Sequence, residues 1–245
     1  MTDWLFDLGN SRLKCAPLRA DGSPGEVLAF AHDGEALADA WIERLPPRID
    51  AAHVASVASP PLRTALLDAL SARCGRIGLA ATQRAWGGLR IAYAASERLG
   101  VDRFLAMLAA HARGGAWLVA GVGTALTIDL VDACGQHRGG RIAPSPALMR
   151  EALHAKAAQL MREGGRYREF AADTGDALNS GCLGAALALV ERSLEAAARE
   201  CGAPVPLLLH GGGAGALLPH LPDVVHDPSL VLRGLAHWAR IGSSP

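Results

Sequence analysis

Asp7-Leu8-Gly9-Asn10-Ser11-Arg12-Leu13-Lys14 and Gly121-Val122-Gly123-Thr124-Ala125-Leu126-Thr127-Ile128-Asp129 are the two stretches on which the reading of this chain turns. Each joins a hydrophobic strand, a small-residue turn bearing hydroxyl or amide side chains, and a second strand. Such turns expose backbone N–H groups, and their small side chains let a phosphate approach closely. One copy would be an ordinary hairpin. Two copies, more than a hundred residues apart, point to two related halves closing on one nucleotide, and so to phosphoryl transfer.

Working outward from the turns, the elements recur. Trp4 to Phe6 is a short buried strand, Arg12 to Leu18 alternates as its antiparallel partner, and Glu26 to Phe30 gives a third strand. Helical spacing runs from Glu35 to Leu45, stopping before Pro46-Pro47. His53 to Ala58 is a strand, Pro60-Pro61 opens a helix reaching Arg73, and Arg76 to Ala80 is another strand. The same order then repeats: helix from Asp102 to Arg113, strands at Trp117 to Ala120, Ala125 to Val131 and His137 to Ile142, and helices from Pro146 to Met161 and Gly175 to Arg199. A strand from Pro206 to His210 runs into Gly211-Gly212-Gly213, and a helix from Pro228 to Arg240 closes the chain. The reading is an internal duplication with its boundary between Tyr93 and Gly100, giving lobes at 1–97 and 98–245. The Gly-Ser-Ser-Pro tail reads as a frayed end.

Bulk properties exclude several classes. With Lys+Arg and Asp+Glu equal at 24 each, no whole-chain field draws in nucleic acid or an anionic membrane. The five cysteines are scattered without a C-x-x-C pair, against a disulfide framework or a zinc knuckle. The nine histidines show no H-x-x-x-H or H-E-x-x-H pattern. No apolar run approaches the ~20 residues that span a bilayer, and the start lacks the marks of a signal peptide, so a cytoplasmic location is expected. Gly211 to Ala216 formally fits G-x-G-x-x-A, but only about thirty residues follow, too few for a dinucleotide-binding unit.

Five segments, in order, resemble the type III pantothenate kinases of the acetate/sugar kinase–Hsp70–actin superfamily. They are Asp7 to Ser11 with Lys14, Gly100-Val101-Asp102-Arg103, Gly123-Thr124-Ala125, Thr174 within Asp173 to Ala177, and His210-Gly211-Gly212. The Gly-x-Asp-Arg element is the most specific of them. The resemblance implies a duplicated α/β, ribonuclease H-like (actin-like ATPase) fold with a mixed sheet flanked by helices in each lobe. It implies ATP-dependent phosphorylation of pantothenate, the first step of coenzyme A synthesis, by a cytoplasmic homodimer that binds neither nucleic acid nor membrane.

Residue roles are expected accordingly. The run Asp7, Leu8, Gly9, Asn10, Ser11, Arg12, Leu13 and Lys14 forms the first phosphate turn; Gly123 and Thr124 form the second, and Gly211 and Gly212 the turn against which adenosine lies. Asp7 can hold Mg²⁺ directly or through water, and can equally be an Asx-turn residue. Asp102 is the candidate general base, with a helix-capping carboxylate as the bland alternative. Arg103 can fork onto a carboxylate or steady the phosphoryl group, or simply make a surface salt bridge. Tyr93, Gly100, Val101, Asp102, Arg103 and Thr174 match the family's pantothenate positions, although Thr174 can also cap the helix that follows. Asp129, ending the second hairpin strand, reads as a surface residue, with a carboxylate that supports the site from behind as the alternative.

The chain departs from the family in two places. Gly121 stands where an aspartate associated with a monovalent cation (K⁺ or NH₄⁺) is common, which puts that cation in doubt or leaves its site to be rebuilt from carbonyls. Pro144-Ser145-Pro146 replaces the usual Pro-Gly turn. The alternative reading is a non-catalytic nucleotide-binding regulator on the same scaffold; a different small-molecule kinase or phosphatase of the superfamily is a third.

Overall fold

The computed structural model describes residues 3–37 and 40–242. It divides into two compact units, Met1–Gly114 together with Ser229–Pro245, and Gly115–Pro228. In the first, Trp4–Leu8 (β1) is nearly all apolar because it is central: Leu5, Phe6 and Leu8 are fully buried. Arg12–Pro17 (β2) alternates, with Leu13 and Cys15 turned into the core. Leu28–Ala31 (β3), a single turn of helix at Ala40–Glu43 (α1), Ile49–Ser56 (β4), Pro60–Ser71 (α2) and Cys74–Leu79 (β5) follow. α2 starts on its prolines, where the missing N–H costs nothing, and buries Leu62, Leu66 and Leu70 as one stripe. A small hairpin, Ala85–Trp86 (β6) with Leu89–Arg90 (β7), leads to Val101–His111 (α3).

The second unit runs Trp117–Val122 (β8), Ala125–Val131 (β9), His137–Pro144 (β10), Pro146–Lys156 (α4), Thr174–Cys201 (α5), Leu207–His210 (β11), Ala214–Leu217 (α6) and Val224–His226 (β12). Leu230–Gly242 (α7) then returns to the first unit. The two main sheets have the same plan, β3-β2-β1-β4-β5 and β10-β9-β8-β11-β12. In each, the first strand pairs antiparallel with the second and parallel with the fourth. The duplication expected from the two turns is therefore present strand for strand.

Several expectations shift. The helix expected from 35 to 45 is only the Ala40–Glu43 turn among the described residues, with 38–39 outside them. Of the expected frayed Gly-Ser-Ser-Pro tail, Gly242 is instead the last residue of the closing helix, and 243–245 lie outside the described residues. The division lies at Gly114/Gly115 rather than at 97/98, because α3 packs against α7 and both belong with the first sheet. That packing is close: a methyl on Gly234 of α7 would run into the Leu105 carbonyl of α3. Pro144-Ser145-Pro146, in place of the usual Pro-Gly turn, starts a helix. Ser145 is buried and its hydroxyl accepts the Leu148 N–H at 3.2 Å, capping α4, with Pro146 in the first turn.

Candidate active site

The residues singled out in the sequence fall in both units. In the first unit, β1 carries Asp7 to its C-terminal end, and the strand register sets Lys14 of β2 opposite it. Burial pushes the Asp7 carboxyl up to about 7; the Lys14 ammonium pulls it down and the Asp102 carboxylate pushes it up again. The structure thus brings Asp7, Lys14 and Asp102 within electrostatic reach of one another. Leu8 and Leu13 flank the turn but are fully buried core residues, so they can offer a phosphate their backbone only. Between them Asn10, Ser11 and Arg12 are exposed, and Gly9 donates its N–H to the Arg12 carbonyl at 3.0 Å, closing the turn.

A residue the sequence reading missed holds this turn. His32, just after β3, bonds through Nε2 to the Gly9 carbonyl at 3.0 Å, while its Nδ1 accepts the Gly34 N–H at 3.1 Å. A carbonyl can only accept, so the proton sits on Nε2 and the imidazole is neutral in this arrangement. The His32 N–H also donates to the Ser11 carbonyl at 3.1 Å. Its only sequence signal was its place directly after the third strand of the meander.

At the start of α3, Gly100 is the residue preceding the helix and Asp102 lies in its first turn. Asp102 Oδ1 accepts the Arg103 backbone N–H at 2.8 Å and leans over Gly100, where a β-carbon would strike it. Gly-x-Asp is thus a steric requirement as well as a motif: the glycine makes room for the carboxylate. Arg103 is no surface ion-pair residue. It is buried, its Nη1 donates to the Tyr93 hydroxyl at 3.3 Å, and its guanidinium stands 5.9 Å from the centre of that ring. Tyr93 and Arg103, expected together at the pantothenate positions, do meet. Val101 is buried, and the Thr82 hydroxyl bonds the Leu99 carbonyl at 2.7 Å, fixing the approach to Gly100.

In the second unit, Gly123 and Thr124 form the exposed turn between β8 and β9, with the Gly123 N–H donated to the Ala125 carbonyl at 2.9 Å. The Gly211–Gly213 turn, expected from the sequence to lie against adenosine, leans on the same strand. Gly211 has φ +94° and lies so close to Val122 that no side chain fits, and the Gly213 N–H donates to the Val122 carbonyl at 2.9 Å. Backbone bonds therefore tie these two glycine turns together. Thr174 is exposed at the first position of α5, but Asp173 caps that helix, accepting the Asp176 N–H at 2.9 Å. Asp129 is not a surface residue: it is buried and paired with the equally buried His137 at 3.1 Å. The two lie on one face of the β9–β10 ladder, where His137 opposes Val131. No group of three or more His, Cys, Asp or Glu that could hold a metal ion occurs among the described residues, and no described helix is long and apolar enough to cross a membrane.

Two five-stranded mixed sheets of one plan, each with a glycine turn after its first strand, define the fold of the actin-like ATPases and sugar kinases. Solved structures agree on that fold. A Campylobacter jejuni protein bearing the name of a Baf family transcriptional activator superposes with TM-score 0.63 at 19% identity, covering 97% of both chains. An archaeal actin homologue gives 0.51 at 10% identity, covering 98% of this chain and 99% of its own. A family profile for type III pantothenate kinases matches residues 4–196. A type III pantothenate kinase of Stenotrophomonas maltophilia strain K279a is 56% identical over 239 residues, 98% of each chain. Another, of Xanthomonas campestris pv. campestris strain B100, is 57% identical over 247 residues, the whole of both. The chain belongs to the type III pantothenate kinase family.

Proposed function

We propose that this protein transfers the γ-phosphoryl group of ATP to the primary hydroxyl of pantothenate, giving 4′-phosphopantothenate in the first step of coenzyme A synthesis. The observation that carries the reading is full-length identity to type III pantothenate kinases, joined to a Gly100-Asp102-Arg103-Tyr93 cluster assembled in the first unit.

Phosphoryl transfer asks the protein mainly for positioning and charge. Asp102, held by the Arg103 N–H, orients the acceptor hydroxyl and takes its proton as the new P–O bond forms. Arg103, steadied against Tyr93, offers its guanidinium to the pantothenate carboxylate or to the phosphoryl oxygens, and Val101 and Gly100 shape the approach. In the second unit Thr174 offers pantothenate its hydroxyl. The backbone of Gly9 to Ser11, with Lys14, addresses the polyphosphate, as do Gly123 and Thr124. Gly211 and Gly212 leave room for adenosine. Asp7 fits Mg²⁺: a half-buried carboxylate whose pKa is raised to about 7 can give up its proton for a cation that otherwise keeps water and phosphate oxygens. Mg²⁺, when bound, neutralises charge on the phosphates. The enzyme acts as a homodimer in the cytoplasm.

The test is ADP release with pantothenate compared with acetate, glycerol and sugars. Turnover on pantothenate is expected; turnover on another acceptor and none on pantothenate refutes the reading. Asp102→Asn is expected to cut kcat about 10²-fold or more. A loss under threefold would make Asp102 a helix-start residue and nothing else.

A further inference from the structure

The monovalent cation that the family resemblance carries does not fit this chain. Strand register places Thr127 of β9, Gly121 of β8 and His210 of β11 in one row across the sheet. Paired residues share a face. A β-carbon on Gly121 would lie 2.7 Å from His210 Nε2, 2.9 Å from His210 Cε1 and 2.9 Å from Thr127 Oγ1. The volume an aspartate side chain needs is therefore taken by an imidazole edge and a hydroxyl. K⁺ asks for a shell of oxygens. A glycine flanked by one hydroxyl and a ring nitrogen supplies no such shell.

The row also stands in a telling place. Gly121 is two residues before the exposed Gly123, and His210 immediately precedes the Gly211–Gly213 turn that is bonded to Val122. His210 is itself only partly buried. An imidazole there adjoins both glycine turns and can present a nitrogen to an anion. We propose that the second phosphate turn of this chain works without a monovalent cation, and that His210, backed by Thr127 over Gly121, takes the cation's place as a group that positions the nucleotide's phosphates. The inference rests on the kinase reading above.

The test compares KCl, NH₄Cl and tetramethylammonium chloride at equal ionic strength and fixed Mg²⁺. ATP affinity is measured by calorimetry and initial rates with pantothenate. Affinity and rate should agree across the three salts to within about twofold, well under the tenfold that 1.4 kcal/mol represents. A tenfold or greater gain in either quantity with K⁺ or NH₄⁺ overturns the proposal while leaving the kinase intact. Tight ATP binding in all salts with no phosphopantothenate in any refutes the kinase reading instead.

His210→Ala should weaken ATP binding about tenfold, the size of one lost hydrogen bond to a charged group, raising KM for ATP more than it lowers kcat. His210→Asn, which keeps a donor, should recover most of that loss; a change under twofold in His210→Ala removes His210 from this role. Should His210→Ala fail to fold, Gly121→Ala displaces the ring by one methyl and must weaken ATP binding in the same direction; unchanged binding there also overturns the role.

Discussion

Asp7 shows what a prepared site costs a single residue. Its carboxyl is pushed up to about 7 in the folded chain, against an ordinary 3.8. The folded state therefore holds a proton that the unfolded state has lost between those values. This contribution to stability is fully present below pH 4, drains away as pH rises towards 7, and is constant above. His53 acts with the opposite sign, since burial lowers its pKa despite the contact with Asp3, so its contribution is lost as pH falls below 6.5. Asp7→Asn separates the two. At pH 8 the variant should melt about 2–4 °C above the parent, roughly 1 kcal/mol, and the gain should vanish by pH 4. Its ATP-dependent turnover should fall about 10²-fold or more if, as proposed, this carboxylate holds the Mg²⁺ that neutralises the phosphates. Equal melting temperatures at pH 8 would mean that Asp7 carries no burial strain. None of this was legible in the sequence: Asp7 could be placed at a strand end, but the burial that raises its pKa, and the smaller opposing charges of Lys14 and Asp102, exist only once the sheet and α3 are assembled. Asp129 is the converse case, since two-residue alternation could not reveal that His137 waits on the next strand.

At the level of elements, strands with strong alternation and helices with clear stops were readable, and short ones were not. β12 has three residues and β6 and β7 two each, too few for any period to register. α7 was visible as a helix from its periodicity, but nothing in its own residues names its partner, because the α3–α7 contact joins positions over a hundred residues apart. The requirement that does mark it is Gly234, pressed on the Leu105 carbonyl. Gly234→Ala must push the two helices apart. It should cost about 3 kcal/mol by denaturant titration, despite alanine's better helix propensity. A neutral or stabilising effect would show that the helices can separate without loss. Since α3 carries Asp102 and Arg103, the same variant should also lower kcat in the folded fraction.

For the molecule as a whole, the duplication was legible because both copies keep the turn after their first strand. The site was half legible: Gly100, Asp102, Arg103 and Tyr93 could be picked out as motif positions, and His210 stood in a motif without its cross-strand neighbours, while His32 belongs to no motif and shows only through its bonds to the Gly9 turn. The boundary was misplaced because sequence order suggests that a lobe ends before its last helix begins, whereas here the first unit takes its closing helix from the far end of the chain. A chain ending at Pro228 should keep the second unit protected in hydrogen exchange while the amides of β1, β4 and α3 lose protection. Retained protection in α3 would mean that α7 is dispensable. Emerging from the ribosome, the polypeptide must leave its first 114 residues waiting while the contiguous stretch behind them can already collapse. The helix that bears the proposed base settles only once α7 has been made, so a nascent chain still lacking α7 has no ordered base with which to spend ATP.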